Sequence, residues 1–182
     1  MRLFVGIALA DVVVQELNSV VAPLRSNSGG LRWVEPKSWH ITLQFLGNAT
    51  PEQHACLTAR LGEVRSAPVP VELGSLGCFE PAGDLFADVA VTPGLVALAE
   101  GVVAATGQCG FAAETRPFHP HITLARAKGR GHGVGRRTLA SGARTRLVFS
   151  RFTAQEFLLY ESHLRAEGAR YEVRGRFPLH EP

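Results

Sequence analysis

The sequence predicts an α+β fold in which mainly antiparallel sheets are combined with about three helices. Two observations support this class: the strand-like segments are short, and short connections join them without the regular alternation of strands and helices that a doubly wound parallel sheet requires. The chain has 182 residues, of which 46% are hydrophobic and 19% are charged. This length and composition suit one globular unit with its own core. We therefore expect residues 1–182 to form a single domain.

The first 64 residues supply two strands and two helices. Residues 2–9 alternate and include branched and aromatic types, which predicts a strand, and a helix follows over about 12–24. A second alternating segment covers residues 39–46. Thr50 then starts a helix that continues to about residue 64, with proline at its first position and Gln53 completing a capping box.

The rest of the chain continues the same mixture of elements. Its strands are short, and glycine and proline mark the turns between them. We predict strands over 69–79, 84–91, 119–125, 147–152, 153–160 and 171–177, a helix over 95–106, and a basic, glycine-rich surface loop over 129–142.

Positive charge is concentrated in one window of the sequence. The formal net charge is only +3, yet residues 115–155 contain no Asp or Glu and hold nine of the 19 basic residues. Such a block is typical of a solvated loop, but it can also attract a polyanion such as a nucleic acid. Both interpretations remain open on charge alone.

The cysteines and the hydrophobic segments bear on the compartment. The three cysteines, Cys56, Cys78 and Cys109, are odd in number and lack Cys-x-x-Cys spacing, which argues against a disulfide framework and against a zinc ribbon. The most apolar later window, residues 86–105, is interrupted by charged residues, proline and glycine, so we expect no membrane span. The amino terminus lacks a convincing cleavage site. These features favour a soluble protein of the reducing cytoplasm.

The tetrapeptide His-Ile-Thr-Leu occurs twice, at residues 40–43 and 121–124. In a strand, the histidine and the threonine of each copy point to one face, and the isoleucine and leucine point to the other. The same alternation places Gln44 on the face of His40 and Phe45 on the core face. Two such strands facing each other would form a cup of two imidazoles and two hydroxyl groups.

This cup suits a phosphate better than a carbonyl group. Because an unperturbed imidazole titrates near pH 6.5, one ring can act as a base and the other as an acid at neutral pH. The hydroxyl groups can donate to the non-bridging oxygens of a tetrahedral anion, and an arginine can hold its charge. The sequence has no Gly-x-Ser-x-Gly elbow, and His-x-Thr offers only one metal ligand per strand.

The residues around both copies resemble the two-histidine (2H) phosphoesterase superfamily, and specifically its RNA 2',3'-cyclic phosphodiesterase branch, also described as 2'-5' RNA ligases. The resemblance covers nearly the whole chain. It implies two pseudo-symmetric lobes of mainly antiparallel sheet with helices packed outside, an active cleft between the lobes, and no metal or other cofactor. The segments that carry it are Arg2-Leu3-Phe4-Val5, Arg32-Trp33-Val34, His40-Ile41-Thr42-Leu43-Gln44-Phe45-Leu46-Gly47 and Pro120-His121-Ile122-Thr123-Leu124-Ala125-Arg126.

The resemblance also implies a role for each matching residue. His40 corresponds to the proton donor, His121 to the proton acceptor, and Thr42, Thr123 and Arg126 to phosphate-binding residues. The implied reaction opens a terminal 2',3'-cyclic phosphate to a 2'-phosphate, and its reverse joins a 5'-hydroxyl in a 2'-5' linkage. The expected partners are RNA ends or nucleotides with a 2',3'-cyclic phosphate, no membrane is involved, and a monomer is expected. A non-catalytic nucleotide- or RNA-binding module that uses the same cleft is the alternative.

Arg126 does not fit strict alternation, which places it on the face of Ile122 and away from His121. Either the strand ends or bulges at Ala125, or the long side chain wraps around the edge of the strand. An unpaired arginine on a core face would be costly to bury, which favours these explanations. The other histidines are interpreted as surface or structural residues, and four aromatic residues as core residues rather than base-stacking ones: His54, His119, His132, His163 and His180, and Phe4, Trp33, Phe118 and Tyr160.

Overall fold

The computed structural model describes residues 1–26, 29–128, 133–141, 147–165 and 168–180. Within these ranges the chain forms ten strands, four α-helices and a 3₁₀ helix at Pro36–Ser38, which confirms the α+β class. The strands are β1 Arg2–Ala8, β2 Leu31–Trp33, β3 His40–Asn48, β4 Val69–Val71, β5 Leu73–Phe79, β6 Asp84–Val89, β7 His121–Ala127, β8 Phe152–Ala154, β9 Glu156–Arg165 and β10 Gly168–Pro178. The α-helices are α1 Asp11–Ser26, α2 Pro51–Leu61, α3 Pro93–Gly107 and α4 Val134–Ser141.

The described strands form two four-stranded sheets and one two-stranded sheet, and neighbouring strands pair antiparallel. The first sheet has the strand order β10-β9-β1-β3, and the second has the order β2-β7-β6-β5. The two His-Ile-Thr-Leu copies therefore lie on strands of different sheets. The strands β3 and β7 that carry them are in contact.

The helix starts follow the capping chemistry of the sequence. The Thr50 hydroxyl accepts from the Gln53 backbone N–H at 3.2 Å, and the Thr50 N–H donates to Gln53 Oε1 at 3.1 Å, which confirms the predicted capping box. Residues 134–141 form α4, so the surface loop predicted over 129–142 is wrong there; Gly133 lies in a turn, and residues 129–132 and 142 lie outside the described residues. No helix of the described chain is long and apolar enough to cross a bilayer.

One core of buried residues joins both four-stranded sheets and the helices packed on them. It includes Val5 and Ile41 of the first sheet, Ile122 of the second sheet, and Leu57 and Leu98 of the helices, each at most 1% exposed. Burying a side chain of this size contributes about 1.5–3 kcal/mol. A second, smaller cluster of Phe4, Leu158, Tyr160 and Tyr171 lies on the other face of the first sheet, because these residues alternate with the core residues along their strands.

Cys56 and Cys109 form a disulfide, which the odd cysteine count and the spacing had argued against. Cys56 lies in α2, and Cys109 follows the end of α3. The two helices pack against each other, which places the Cα atoms of the two cysteines 5.8 Å apart although 53 residues separate them in sequence. The pairing results from helix packing rather than from a local cysteine motif. Cys78 is free.

Candidate active site

The structure brings the two predicted half-sites together. His40 and Thr42 lie on β3, and His121 and Thr123 lie on β7, with all four side chains partly buried. The strands β3 and β7 are in contact, and the charge of a protonated His121 is among the causes that lower the pKa of His40. The site therefore lies between the two sheets.

Each motif strand has a β-bulge directly after its threonine. Leu43 of β3 has no partner in the register with β1, and Leu124 of β7 has none in the register with β6. An extra residue moves every later side chain to the opposite face of the strand. The same irregularity at equivalent positions makes the two half-sites similar in backbone as well as in sequence.

The bulge in β3 reverses the predicted orientations of Gln44 and Phe45. Gln44 is buried, and its side chain accepts from the Thr106 hydroxyl at 2.6 Å and donates to the Ala112 carbonyl at 3.3 Å. The prediction that Gln44 shares the face of His40 is therefore wrong. Phe45 takes that face instead and is 65% exposed.

The bulge in β7 places Arg126 on the histidine side. Leu124 and Ala125 are both buried, and Arg126 is the next exposed residue. Its NH1 atom lies 3.4 Å from Asp84 Oδ2, while Asp84 Oδ1 accepts from the Ala127 backbone N–H at 2.9 Å. The guanidinium charge lowers the pKa of both His40 and His121, so it lies near both rings. The bulge lies one residue earlier than Ala125.

Both imidazoles are oriented in the same way by the backbone. The Nδ1 atom of His40 lies 2.8 Å from the Ser38 carbonyl oxygen, and the Nδ1 atom of His121 lies 2.7 Å from the His119 carbonyl oxygen. Because a carbonyl oxygen only accepts, Nδ1 carries the proton in each ring. The Nε2 atom of each neutral ring is thus left as the basic nitrogen, available for proton transfer.

His40 is enclosed by aromatic rings. The ring centroid of Phe4 lies 4.6 Å away, that of Tyr171 lies 5.0 Å away, and that of Tyr160 lies 5.8 Å away. Gly6 of β1 allows β3 to approach closely beside His40, since a Cβ atom there would lie 2.7 Å from the Ile41 carbonyl oxygen and 3.6 Å from His40 Cδ2. The sequence predicts Tyr160 as a core residue, and it is buried, but no local pattern places Tyr160 or Tyr171 beside His40, because both lie more than a hundred residues from it along the chain.

Burial makes both histidines weak bases. It is the largest cause that lowers the pKa of His40 to about 4, and the positive charges of Arg126 and His121 act in the same direction. Burial is also the main cause that lowers the pKa of His121, with further lowering from the charges of His119 and Arg126. Both rings are therefore neutral at pH 7 in the empty site.

His121 has a different set of neighbours from His40. The ring centroids of Phe79 and His119 lie 4.8 Å and 5.7 Å from that of His121, and His119 Nε2 lies 3.0 Å from Asp88 Oδ1. His119, which the sequence suggested to be a surface or structural residue, is half-exposed beside the site. The two half-sites thus differ in their neighbours: Phe4, Tyr160 and Tyr171 pack around His40, whereas His121 has the Asp88-paired ring of His119 beside it.

The basic window of the sequence is largely neutralised where the structure describes it. Four of its arginines lie within 3.4 Å of carboxylates, all of which come from outside the window. Those pairs are Arg116 with Glu114, Arg126 with Asp84, Arg136 with Glu80 and Arg151 with Glu72. A uniform positive patch is therefore absent among these described residues.

Within the described residues, one group combines three potential metal ligands: Glu161, His163 and Glu172. Arg174 lies 3.2 Å from Glu172 and 3.7 Å from Glu161, so its charge already offsets the two carboxylates. We interpret this group as a surface salt-bridge network.

The halves of the chain match a known family separately. A family model described as LigT like phosphoesterase matches residues 7–84 and residues 85–171, so each matched segment contains one His-x-Thr copy. The chain belongs to this family. The relatives of this LigT-like phosphoesterase include the RNA 2',3'-cyclic phosphodiesterase of Geobacillus stearothermophilus, which is 31% identical over 97% of this chain, although the match spans only 56% of that protein.

Further matches cover nearly the full length of this chain and of the protein compared with it. The RNA 2',3'-cyclic phosphodiesterase of Thermus thermophilus is 30% identical over 98% of this chain and 90% of that protein. The solved structure of Escherichia coli LigT in its apo form superposes with a TM-score of 0.79 at 27% identity, covering 98% of this chain and 96% of that chain. Its complex with 3'-AMP superposes with a TM-score of 0.76 at 26% identity over the same shares. The LigT-like phosphoesterase described here therefore shares the α+β fold of these proteins.

Proposed function

We propose that this LigT-like phosphoesterase is an RNA 2',3'-cyclic phosphodiesterase, a metal-independent hydrolase that opens a terminal 2',3'-cyclic phosphate to a 2'-phosphomonoester. One observation carries the proposal: two imidazoles on contacting strands each have Nδ1 bonded to a backbone carbonyl, with Arg126 electrostatically close to both rings. The names of the relatives support the same activity.

In the proposed reaction each histidine moves one proton. His121 Nε2 accepts a proton from water as the water oxygen bonds to phosphorus, and the P–O3' bond breaks as His40 Nε2–H gives its proton to the 3'-oxygen. The hydroxyl groups of Thr42 and Thr123 donate to the non-bridging oxygens, and Arg126 stabilises their charge. The pair ends with His121 protonated and His40 neutral, and exchange with solvent restores the starting state.

Bound substrate favours the protonation of His40, the proposed general acid. A pKa of about 4 leaves roughly one His40 in a thousand protonated at pH 7 in the empty site. Raising that pKa to 7 requires about 4 kcal/mol of interaction that favours the protonated ring, since one pKa unit corresponds to about 1.4 kcal/mol. An anionic cyclic phosphate against the ring supplies an interaction of this sign.

The same proposal covers the substrates, the oligomeric state and the cellular location. The substrates are RNA ends or nucleotides with a 2',3'-cyclic phosphate, and the 3'-AMP complex of E. coli LigT supports a nucleotide as ligand. Residues 1–182 act as one bilobal domain and as a monomer in the cytoplasm, without a membrane. The reverse reaction joins a 5'-hydroxyl to the 2'-phosphate. The thiol state of Cys56 and Cys109 in rapidly alkylated cells tests the location, because a reducing cytoplasm keeps them as thiols.

Turnover of a 2',3'-cyclic nucleotide by the purified protein tests the activity. We expect a 2'-phosphate product, a loss of roughly 10²- to 10⁴-fold in His40→Ala and in His121→Ala, and no loss in His163→Ala, a matched control on the exposed salt-bridge network. Chelators should not change the rate. Binding of the nucleotide without turnover would instead identify a non-catalytic binding module, and a product with only 3'-phosphate would contradict the assigned leaving group.

A further inference from the structure

Two arginines lie side by side on the face of the second sheet that carries His121. Arg32 of β2 pairs directly with Arg126 of β7 in the antiparallel register. Directly paired residues of an antiparallel ladder point to the same face of the sheet. Both arginines are exposed, whereas Leu31, the neighbour of Arg32 on β2, is buried. Arg32 is thus on the active-site face, next to the arginine that we assign to the reacting phosphate.

The two guanidinium groups differ in how their charges are balanced. Arg126 has Asp84 on its β6 side at 3.4 Å. Arg32 lies on its other side, and within the part of the chain that the structure describes no carboxylate is within salt-bridge distance of Arg32. Like charges that face each other across a strand pair are destabilising. An anionic ligand across this pair would remove that repulsion.

The position of Arg32 indicates which phosphate it can reach. Paired Cα atoms lie about 4.5–5.5 Å apart, so the two side chains can hold two separate phosphates of one strand rather than being confined to a single one. β2 is the edge strand on the β7 side of its sheet. A nucleic acid strand whose end is bound at Arg126 can therefore leave the cleft across β2, past Arg32.

We propose that Arg32 binds the phosphate preceding the terminal nucleotide of an RNA strand, beside the cyclic phosphate at Arg126. This inference rests on the proposed function and deepens it, because it assigns a preference for RNA ends over free cyclic mononucleotides. A mononucleotide has no second phosphate for Arg32 to bind. The preference is therefore measured by the ratio of kcat/KM for an oligonucleotide to kcat/KM for a mononucleotide.

The test compares 2',3'-cyclic AMP with an RNA tetranucleotide that ends in a 2',3'-cyclic phosphate. Arg32→Gln should lower the oligonucleotide-to-mononucleotide ratio of kcat/KM by roughly tenfold, the size expected for one charge-assisted contact. The slope of log kcat/KM against log salt for the tetranucleotide should become shallower by about 0.7. Arg32→Lys should retain the salt slope. Arg60→Gln, which removes an exposed arginine from α2, is the matched control and should keep the wild-type ratio.

Other outcomes overturn the inference. An unchanged ratio in Arg32→Gln means either that Arg32 contacts no phosphate or that it shares the reacting phosphate with Arg126. Absence of turnover for both substrates in the wild-type protein would be a failure of the proposed function instead. In that case the fluorescence anisotropy of a labelled tetranucleotide with a 2'-phosphate end tests Arg32 directly. Weaker binding by Arg32→Gln than by Arg60→Gln supports the subsite, and equal binding refutes it.

Discussion

The low pKa of His40 gives the sharpest prediction about the reaction. Burial among aromatic rings lowers that pKa from 6.5 to about 4, which corresponds to about 3 kcal/mol of resistance to protonation in the empty site. The proposed mechanism needs protonated His40 together with neutral His121. In the free enzyme this combination is most populated between the two pKa values, both of which are below 6.5. We therefore expect kcat/KM to be largest on the acidic side of neutrality and to fall toward pH 8.

Bound substrate should change this pH dependence. A negative phosphate raises the pKa of His40, so the alkaline limb of kcat should lie at higher pH than the alkaline limb of kcat/KM, because the first reports the complex and the second the free enzyme. Rates measured from pH 4 to pH 9, with an NMR titration of the His40 ring in the free protein, check both statements. A free His40 that titrates near 6.5, or alkaline limbs that coincide, would refute the reasoning.

Three further perturbations test the supports of the site. Gly6→Ala should lower kcat and reduce the free energy of unfolding by about 1–3 kcal/mol, because the added Cβ would lie 2.7 Å from the Ile41 carbonyl oxygen and force β1 away from β3. A kcat equal to that of the wild-type protein would show that the close packing of β1 on His40 is not needed for activity. Asp84→Asn should reduce kcat/KM, with Arg60→Gln as the control for surface charge, since Asp84 fixes Arg126; an unaltered rate would show that Arg126 needs no anchor. Cys109→Ser should lower the urea-unfolding free energy of the oxidised protein by about 4 kcal/mol, given a 53-residue separation, and a much smaller loss would mean that the disulfide constrains the unfolded chain little.

Part of the site could be predicted from strand periodicity alone. The histidine and the threonine of each copy precede the bulge, so simple alternation orients them correctly. Beyond the bulge that follows each threonine, strict alternation predicts the wrong face. Gln44 and Arg126 were assigned to the wrong faces by strict alternation, since Leu43 and Leu124 each lack a partner in the neighbouring strand. A Thr-Leu dipeptide does not predict a bulge by itself, because a bulge depends on the pairing of two strands.

The remaining features depend on contacts between distant parts of the chain. Tyr160 and Tyr171 enclose His40 only because β9 and β10 continue the sheet beyond β1. The Cys56–Cys109 disulfide requires the packing of two helices. The α+β class, by contrast, follows from short strands with short connections, which each segment reveals locally. Periodicity thus predicts which residues share a strand face, and tertiary packing decides their neighbours.

The assignment of His40 as the acid and His121 as the base is tested most directly with a sulfur leaving group. A 2',3'-cyclic nucleotide with sulfur in place of the 3'-oxygen expels a thiolate, which needs far less protonation than an alkoxide because a thiol has a pKa near 8.5. We predict that this substrate restores most of the activity lost in His40→Ala and leaves His121→Ala inactive. Restoration in His121→Ala alone, or in neither variant, would contradict the assignment.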